Sequence, residues 1–224
     1  MADSNATTKA RVRAVEIRVE GVALLGDLAV VPDALGIVIF AHGSGSSRFS
    51  PRNRFVAEVL QDARIATLLM DLLTTDEETV DNRTSRLRFD IPMLADRVIA
   101  ATDWARREGE LRGLPVGLFG ASTGAAAALV AAAQRPETVA AVVSRGGRPD
   151  LAGDALEKVC APTLMIVGGD DTPVIEMNRS AMDRMRSDTR LDIIPGATHL
   201  FSEPGALERV ACLAAEWFDQ WFRR

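Results

Sequence analysis

The chain has 224 residues, 47% hydrophobic and 25% charged, with 31 acidic and 26 basic residues giving a formal net charge of -5. That length suits one domain, the composition is that of an ordinary globular chain rather than a disordered one, and the acidic balance argues against nucleic acid as a partner. Only Lys9 and Lys158 are lysines; the arginine excess, with abundant alanine and no tyrosine, reads as the codon bias of a GC-rich genome. Cys160 and Cys212 are too few for a disulfide framework or a four-ligand zinc site, so no metal is expected. The first nine residues carry no apolar run of a secretory signal, and Gly120 to Ala133 is too short and too weakly apolar to span a bilayer. No membrane partner is expected, and the predicted location is the cytoplasm.

In chain order, residues 1–11 read as a flexible leader and 12–224 as one domain. Val15, Ile17 and Val19 alternate with Glu16, Arg18 and Glu20, a period of two that predicts a half-exposed strand. A second strand over Val22 to Val31 follows Gly21, and the two read as an antiparallel hairpin. From residue 36 the texture changes. Ile37-Val38-Ile39-Phe40-Ala41 and Ala66-Thr67-Leu68-Leu69-Met70 are apolar runs expected of strands buried on both faces. Between them Ser50-Pro51 opens a helix to about Asp62. Thr75 to Glu78 offers a T-x-x-E capping box, followed by a charged stretch to Arg88. Asp90 caps a helix to about Glu108. Then come a strand at Val116–Phe119, a helix at Thr123–Gln134, and strands at Val139–Val143 and Leu164–Val167. A helix over Val174–Met185, a strand at Leu191–Ile194 and a helix over Pro204–Arg223 complete the chain. Trp217, Phe218, Trp221 and Phe222 recur at helical spacing and are expected to pack on the sheet. The pattern predicts an α/β fold: about eight strands, mostly parallel, with helices on both faces. Ligands of such sheets bind beyond the carboxyl ends of the strands.

What each strand runs into is therefore the informative question. Val116–Phe119 runs into Gly120-Ala121-Ser122-Thr123-Gly124, a G-x-S-x-G between strand and helix. That turn is so tight that its serine is strained and its hydroxyl exposed, which makes Ser122 the candidate nucleophile. The chain has two histidines. His199 follows the last strand, at the expected edge of the sheet, and is the candidate base. His42 is assigned to packing and loop hydrogen bonds. In this order of motifs an acid precedes the histidine. Gly168-Gly169-Asp170-Asp171-Thr172-Pro173-Val174 offers two, and a G-x-x-D-x-x-V reading favours Asp171 over Asp170. An oxyanion needs two backbone donors. Thr123 supplies one, and Ser44 in His42-Gly43-Ser44-Gly45-Ser46-Ser47 the other, with Gly43 as the alternative. Gly43 lets backbone approach a reacting carbonyl. No phosphate-cradling G-x-x-x-x-G-K-[ST] or G-x-G-x-x-G is present, and no cofactor is expected. Arg145 and Arg148, after the Val139–Val143 strand, are candidates to bind a substrate carboxylate, or else to pair with Asp150 or Asp154.

The motifs HGSGSS, GASTGA, GGDDTPV and GATHLF, in this order, resemble those of an α/β-hydrolase. Within that superfamily the chain is similar to the dienelactone-hydrolase-like group, and more narrowly to small hydrolases that occur alone or fused to a phosphoribosyltransferase domain. The resemblance runs from about residue 15 to the C-terminus. It implies Ser122, Asp171 and His199 as a triad that cleaves small-molecule esters, lactones or related acyl compounds through an acyl-enzyme. Dienelactone hydrolases proper use a cysteine nucleophile, and position 122 is serine here. The longest insertion, residues 72–89, leaves no room for a large cap. Two other readings are a binding module with an unused pocket, and acyl transfer to an acceptor other than water, peroxide included.

Overall fold

The computed structural model describes residues 10–224. The leader reading falls on residues 1–9, which lie outside the described residues, and on two more; the first strand already begins at Arg11. Strands β1 (Arg11–Val19) and β2 (Val22–Val30) pair antiparallel across Glu20-Gly21. Both turn residues have positive φ, 45° and 84°, which matches the twist of a tight two-residue hairpin. The sheet continues with β3 (Ile37–Ala41), β4 (Ala66–Met70), β5 (Val116–Ala121), β6 (Val139–Arg145), β7 (Thr163–Gly168) and β8 (Thr189–Ile194). Its order is β1-β2-β4-β3-β5-β6-β7-β8. β2 meets β4 antiparallel, and every pair from β4 to β8 is parallel. The predicted eight-stranded, mostly parallel sheet is the observed one.

Among the described residues, six α-helices accompany the sheet: α1 (Pro51–Asp62), α2 (Thr75–Thr84), α3 (Ile91–Arg107), α4 (Thr123–Gln134), α5 (Thr172–Met182) and α6 (Ala206–Phe222). The Ser50 side chain caps α1 by accepting from the Asn53 N–H at 3.3 Å, and Asp90 caps α3 by accepting from Met93 at 3.1 Å. On one face, α3 and α4 bury Leu94, Val98, Ala127 and Leu129 against Ile39 and Leu118. On the other, α1 and α6 bury Val56, Leu60, Val210 and Phe218 against Phe40 and Phe119. Trp217 and Phe218 are buried there, while Trp221 and Phe222 are partly covered. Gly117 is what lets α6 approach: a Cβ there would lie 2.5 Å from the Phe218 ring.

Two stretches differ from the sequence reading. Residues 72–89 contain a ten-residue helix, α2, and its capping box is Thr74 with Glu77, one residue before the expected Thr75 with Glu78. The run Thr-Thr-Asp-Glu-Glu admits both registers locally. The observed one points Glu77 at Arg97 of α3, whose Nη2 donates to it at 2.5 Å. Residues Pro149–Lys158, to which the sequence assigns no element, form 3-10 turns broken at Gly153. A tertiary contact, invisible in local sequence, decides the cap register.

Candidate active site

β5 ends at Ala121 and α4 begins at Thr123, so Ser122 alone makes the turn. Its φ of 51° and ψ of -121° are sparsely populated for a residue with a Cβ, a strain on the order of 1–3 kcal/mol. The turn survives because its flanks are bare. A Cβ on Gly120 would lie 2.3 Å from the Ala125 Cα, and one on Gly124 2.2 Å from the Ala41 carbonyl oxygen. The Ser122 N–H donates to the Arg145 carbonyl at 3.2 Å, which anchors the turn to the neighbouring strand.

His199 and Asp171 come from loops after β8 and β7. Asp171 Oδ2 is 2.6 Å from His199 Nδ1. The carboxylate is 15% exposed and the imidazole 39%. With Nδ1–H donating to the carboxylate, Nε2 is left as the acceptor. Nε2 has no partner among the described residues, and His199 and Ser122 line one cavity of about 200 Å³. The Ser122 hydroxyl and Nε2 are not hydrogen-bonded in this arrangement; such contacts often tighten only around substrate. Asp170 is exposed, and its N–H donates to the Ala197 carbonyl at 3.0 Å. It splints the same two loops without touching the imidazole. Gly168 allows their close approach, since a Cβ would lie 2.3 Å from the Ala197 oxygen.

The loop after β3 forms the facing wall. A Cβ on Gly43 would meet the Ser122 Cβ at 3.1 Å, so this glycine lies directly against the turn. Ser44 follows it, and the Ser44 hydroxyl is 3.1 Å from that of Thr123. The Thr123 N–H is a free donor of the first turn of α4, and neither it nor the Ser44 N–H has an acceptor among the described residues. Both sit where the positive end of the α4 dipole favours negative charge.

His42 is spent elsewhere. Its Nδ1–H donates to the Gly43 carbonyl at 3.0 Å, and its Nε2 accepts from the Leu72 N–H at 2.9 Å. Burial pushes its pKa below the ordinary value, so it stays neutral. Beyond Ser44 lies a second, smaller cavity of about 30 Å³, lined by Leu72, Leu73, Leu94 and Thr123 and rimmed by Asp71, Glu78, Asp81 and Arg88. Among the described residues, all of these rim charges but Glu78 are paired. Arg48 pairs with Asp71, and Arg88 Nε donates to Asp81 at 2.6 Å. Burial pushes the Asp81 carboxyl up, but its bonds from the Arg88 side chain and from the Arg88 and Leu87 N–H groups outweigh this and hold it below the usual range. Arg83 and Arg86 are exposed.

Of the two arginines considered as carboxylate ligands, Arg145 lines the cavity with Ser122 and Arg148 does not. Arg148 instead grips Asp150 at 2.8 and 2.7 Å. Arg52, Asn53, Ser46 and Leu200 also line this cavity and were not singled out from the sequence. For Arg52 a signal existed: it stands in the first turn of the helix that follows the glycine-rich loop at a strand's carboxyl end. Among the described residues, no group of three or more His, Cys, Asp or Glu is placed to hold a metal ion. Among the described residues no helix is long and apolar enough to cross a membrane.

Comparison with known proteins gives consistent results. The family model described as "Dienelactone hydrolase family" matches residues 21–224. A crystal structure of dienelactone hydrolase from Anabaena variabilis ATCC 29413 superposes with a TM-score of 0.93 at 60% identity, covering 95% of this chain and 99% of that one. Est1E from Butyrivibrio proteoclasticus shares the fold, with a TM-score of 0.79 at 18% identity over 94% of this chain and 99% of that one. A Mycobacterium tuberculosis (strain ATCC 25618 / H37Rv) protein bearing the name phosphoribosyl transferase is 55% identical over 216 residues. That alignment takes in 96% of this chain but 48% of the relative, so the chain spans about half the length of the curated relatives it matches.

Proposed function

The chain belongs to the dienelactone hydrolase family, and from that premise we propose that it is a serine hydrolase that cleaves carboxylic esters, lactones or related acyl compounds of small soluble substrates. The observation that carries this reading is the convergence of a strained, outward Ser122 and an Asp171-held His199 on one cavity.

Ser122 Oγ attacks the substrate carbonyl while His199 Nε2 takes its proton. Asp171 holds the imidazole in the tautomer that can accept and stabilises the imidazolium that results. The tetrahedral oxyanion is met by the N–H groups of Thr123 and Ser44. On collapse, His199 returns the proton to the leaving oxygen. Water, activated by His199, attacks the acyl-enzyme, and the acid departs with Ser122 restored. The oxygen of serine is less nucleophilic than the thiolate of a cysteine and depends on this base. The rim is built by α2 and a short 3-10 turn rather than by a separate cap domain, which suits small acyl groups over long lipids. The partner is thus a small-molecule ester, not nucleic acid or a membrane.

The test is direct. Short p-nitrophenyl esters, thioesters and lactones are screened with Ser122→Ala as control, and the wild type is treated with a fluorophosphonate. Labelling at Ser122 and a loss of at least about 10⁴-fold in kcat in the variant are expected. Full activity in Ser122→Ala would overturn the reading. A folded, unlabelled, inactive wild type would favour a binding module, and product partition with added alcohols or peroxide separates hydrolysis from acyl transfer.

A further inference from the structure

Two arginines, one from β6 and one from α1, line the cavity of Ser122 and His199, and neither has a counter-ion. Arg145 is the last residue of β6, and the strand register pairs it with Ala121. Its Cα therefore stands about one inter-strand spacing, ~4.8 Å, from the residue before the nucleophile. Its side chain is buried, with 9% of the residue exposed, and its enclosed Nη1 has no hydrogen-bond partner. Arg52 comes from the first turn of α1, and its enclosed Nε is likewise unpartnered. Among the described residues neither forms an ion pair, and the cavity they line has no carboxylate in its walls. The serine hydroxyls of Ser46 and Ser50 are there instead.

Four arginines elsewhere around the site differ. Arg48, Arg88, Arg97 and Arg148 are each matched to an acid: Asp71, Asp81, Glu77 and Asp150. A buried guanidinium without an anion is costly. Burial, and then the like charge of Arg52, push the Arg145 pKa down to about 10, which still leaves it a cation at neutral pH. A fold that pairs these four arginines has left two that line the space beside its nucleophile without a counter-ion.

We propose that Arg52 and Arg145 form an anion subsite, and that the substrate is an ester bearing a carboxylate or a phosphate-type group a few bonds from the scissile carbonyl. The substrate assignment rests on the reading of Ser122 as nucleophile; the anion site itself does not. Guanidinium forks recognise the planar pair of oxygens of a carboxylate and the faces of a phosphate equally well.

The test compares methyl butyrate with monomethyl succinate and with methyl 3-phosphonopropionate, using the full chain and following acid release. Preference over methyl butyrate by about 10-fold or more in kcat/KM is expected for at least one charged ester, and the ester that shows it assigns the anion as carboxylate or phosphate-type. That preference falls by about 10-fold or more, chiefly through KM, in Arg145→Gln and in Arg52→Gln, and is partly regained in Arg145→Lys. If Arg145→Gln does not accumulate folded, by circular dichroism, Arg52→Gln on the helix surface carries the comparison. Calorimetric titration of inactive Ser122→Ala with succinate or inorganic phosphate reads the anion site without turnover. Binding there that is lost on adding Arg52→Gln supports the subsite even if no ester is cleaved, an outcome that would sink only the hydrolase reading. An equal preference in wild type and Arg52→Gln, or no binding of either anion to Ser122→Ala, overturns the subsite.

Discussion

The hydroxyls of Ser44 and Thr123 lie 3.1 Å apart and tie the loop after β3 to the first turn of α4. The two backbone N–H groups assigned to the oxyanion belong to these same residues, so a contact between side chains fixes the spacing of two backbone donors. Donors of this kind contribute because they are held in place before charge develops. Ser44→Ala and Thr123→Val keep both N–H groups and remove only the tie. Each is expected to lower kcat by about 3- to 10-fold with a smaller change in KM, since a small misplacement of a positioned group costs rate. Steady-state kinetics on one short ester checks this. A pure KM effect would mean that the hydroxyls serve substrate binding instead.

Asp171 and Asp170 are adjacent, yet only one carboxylate reaches the imidazole. Asp171 Oδ2 is 2.6 Å from His199 Nδ1, while Asp170 uses its backbone N–H to hold Ala197. Asp171→Asn replaces an acceptor with an amide that favours the wrong tautomer and is expected to lower kcat by about 10⁴-fold. Asp170→Asn preserves the backbone contact and is expected to stay within about 3-fold of wild type. The reverse ranking would move the acid one residue back.

How much of this was legible in the sequence depends on the range of the determining interaction. The parallel strands were legible because burial on both faces writes continuous apolar runs, as in Ile37–Ala41. Ser122 was legible because its strain demands bare neighbours, and the glycines that satisfy the demand are local. Asp171 over Asp170 was legible only as a spacing preference. The register of the α2 cap was not, because Thr74 and Thr75 are locally equivalent and Arg97, twenty residues on from Glu77, makes the choice. For Arg52 the local signal, a first helical turn after a glycine-rich loop, does not name a ligand; the absence of an acid beside it and Arg145, from α1 and β6, is a tertiary fact.

His42 makes stability sensitive to mild acid. Its imidazole is buried neutral, with pKa pushed below the ordinary 6.5 by burial. The unfolded chain therefore takes up the proton first. Its contribution is intact above pH 6.5 and is lost as pH falls from 6.5 toward the folded-state value, at up to about 1.4 kcal/mol per pH unit. Glu77 and Asp81, whose pKa values are held below 4.5 and 3.8, add their losses only in stronger acid. Urea unfolding at pH 7, 6 and 5 is expected to show declining stability, with a shallower decline in His42→Gln. That variant keeps an amide oxygen for the Leu72 N–H and loses the Nδ1–H given to the Gly43 carbonyl, at about 1 kcal/mol at pH 7. An unchanged pH slope would show that His42 does not control this window.

If the Arg145 charge is held for a ligand, the fold bears its cost while empty. Burial, and then Arg52, lower its pKa from the ordinary guanidinium range to about 10. A depression of that size corresponds to roughly 3 kcal/mol against the folded cation throughout the neutral range. Since a base whose folded pKa is lowered is penalised wherever both states remain protonated, this cost persists at every pH below about 10. Arg145→Met keeps an unbranched apolar stem and deletes the charge. It is expected to be more stable than wild type by about 1–3 kcal/mol, as when buried ionic groups give way to apolar ones. For a chain of this size that is about 2–4 °C in Tm per kcal/mol. The same variant loses its preference for anionic esters, so stability and selectivity move in opposite directions. Thermal unfolding with and without phosphate or succinate supplies the internal control. The anion that binds raises the Tm of wild type by linkage and leaves that of Arg145→Met nearly unmoved. A folded Arg145→Met that is less stable than wild type would show that the guanidinium supports the fold.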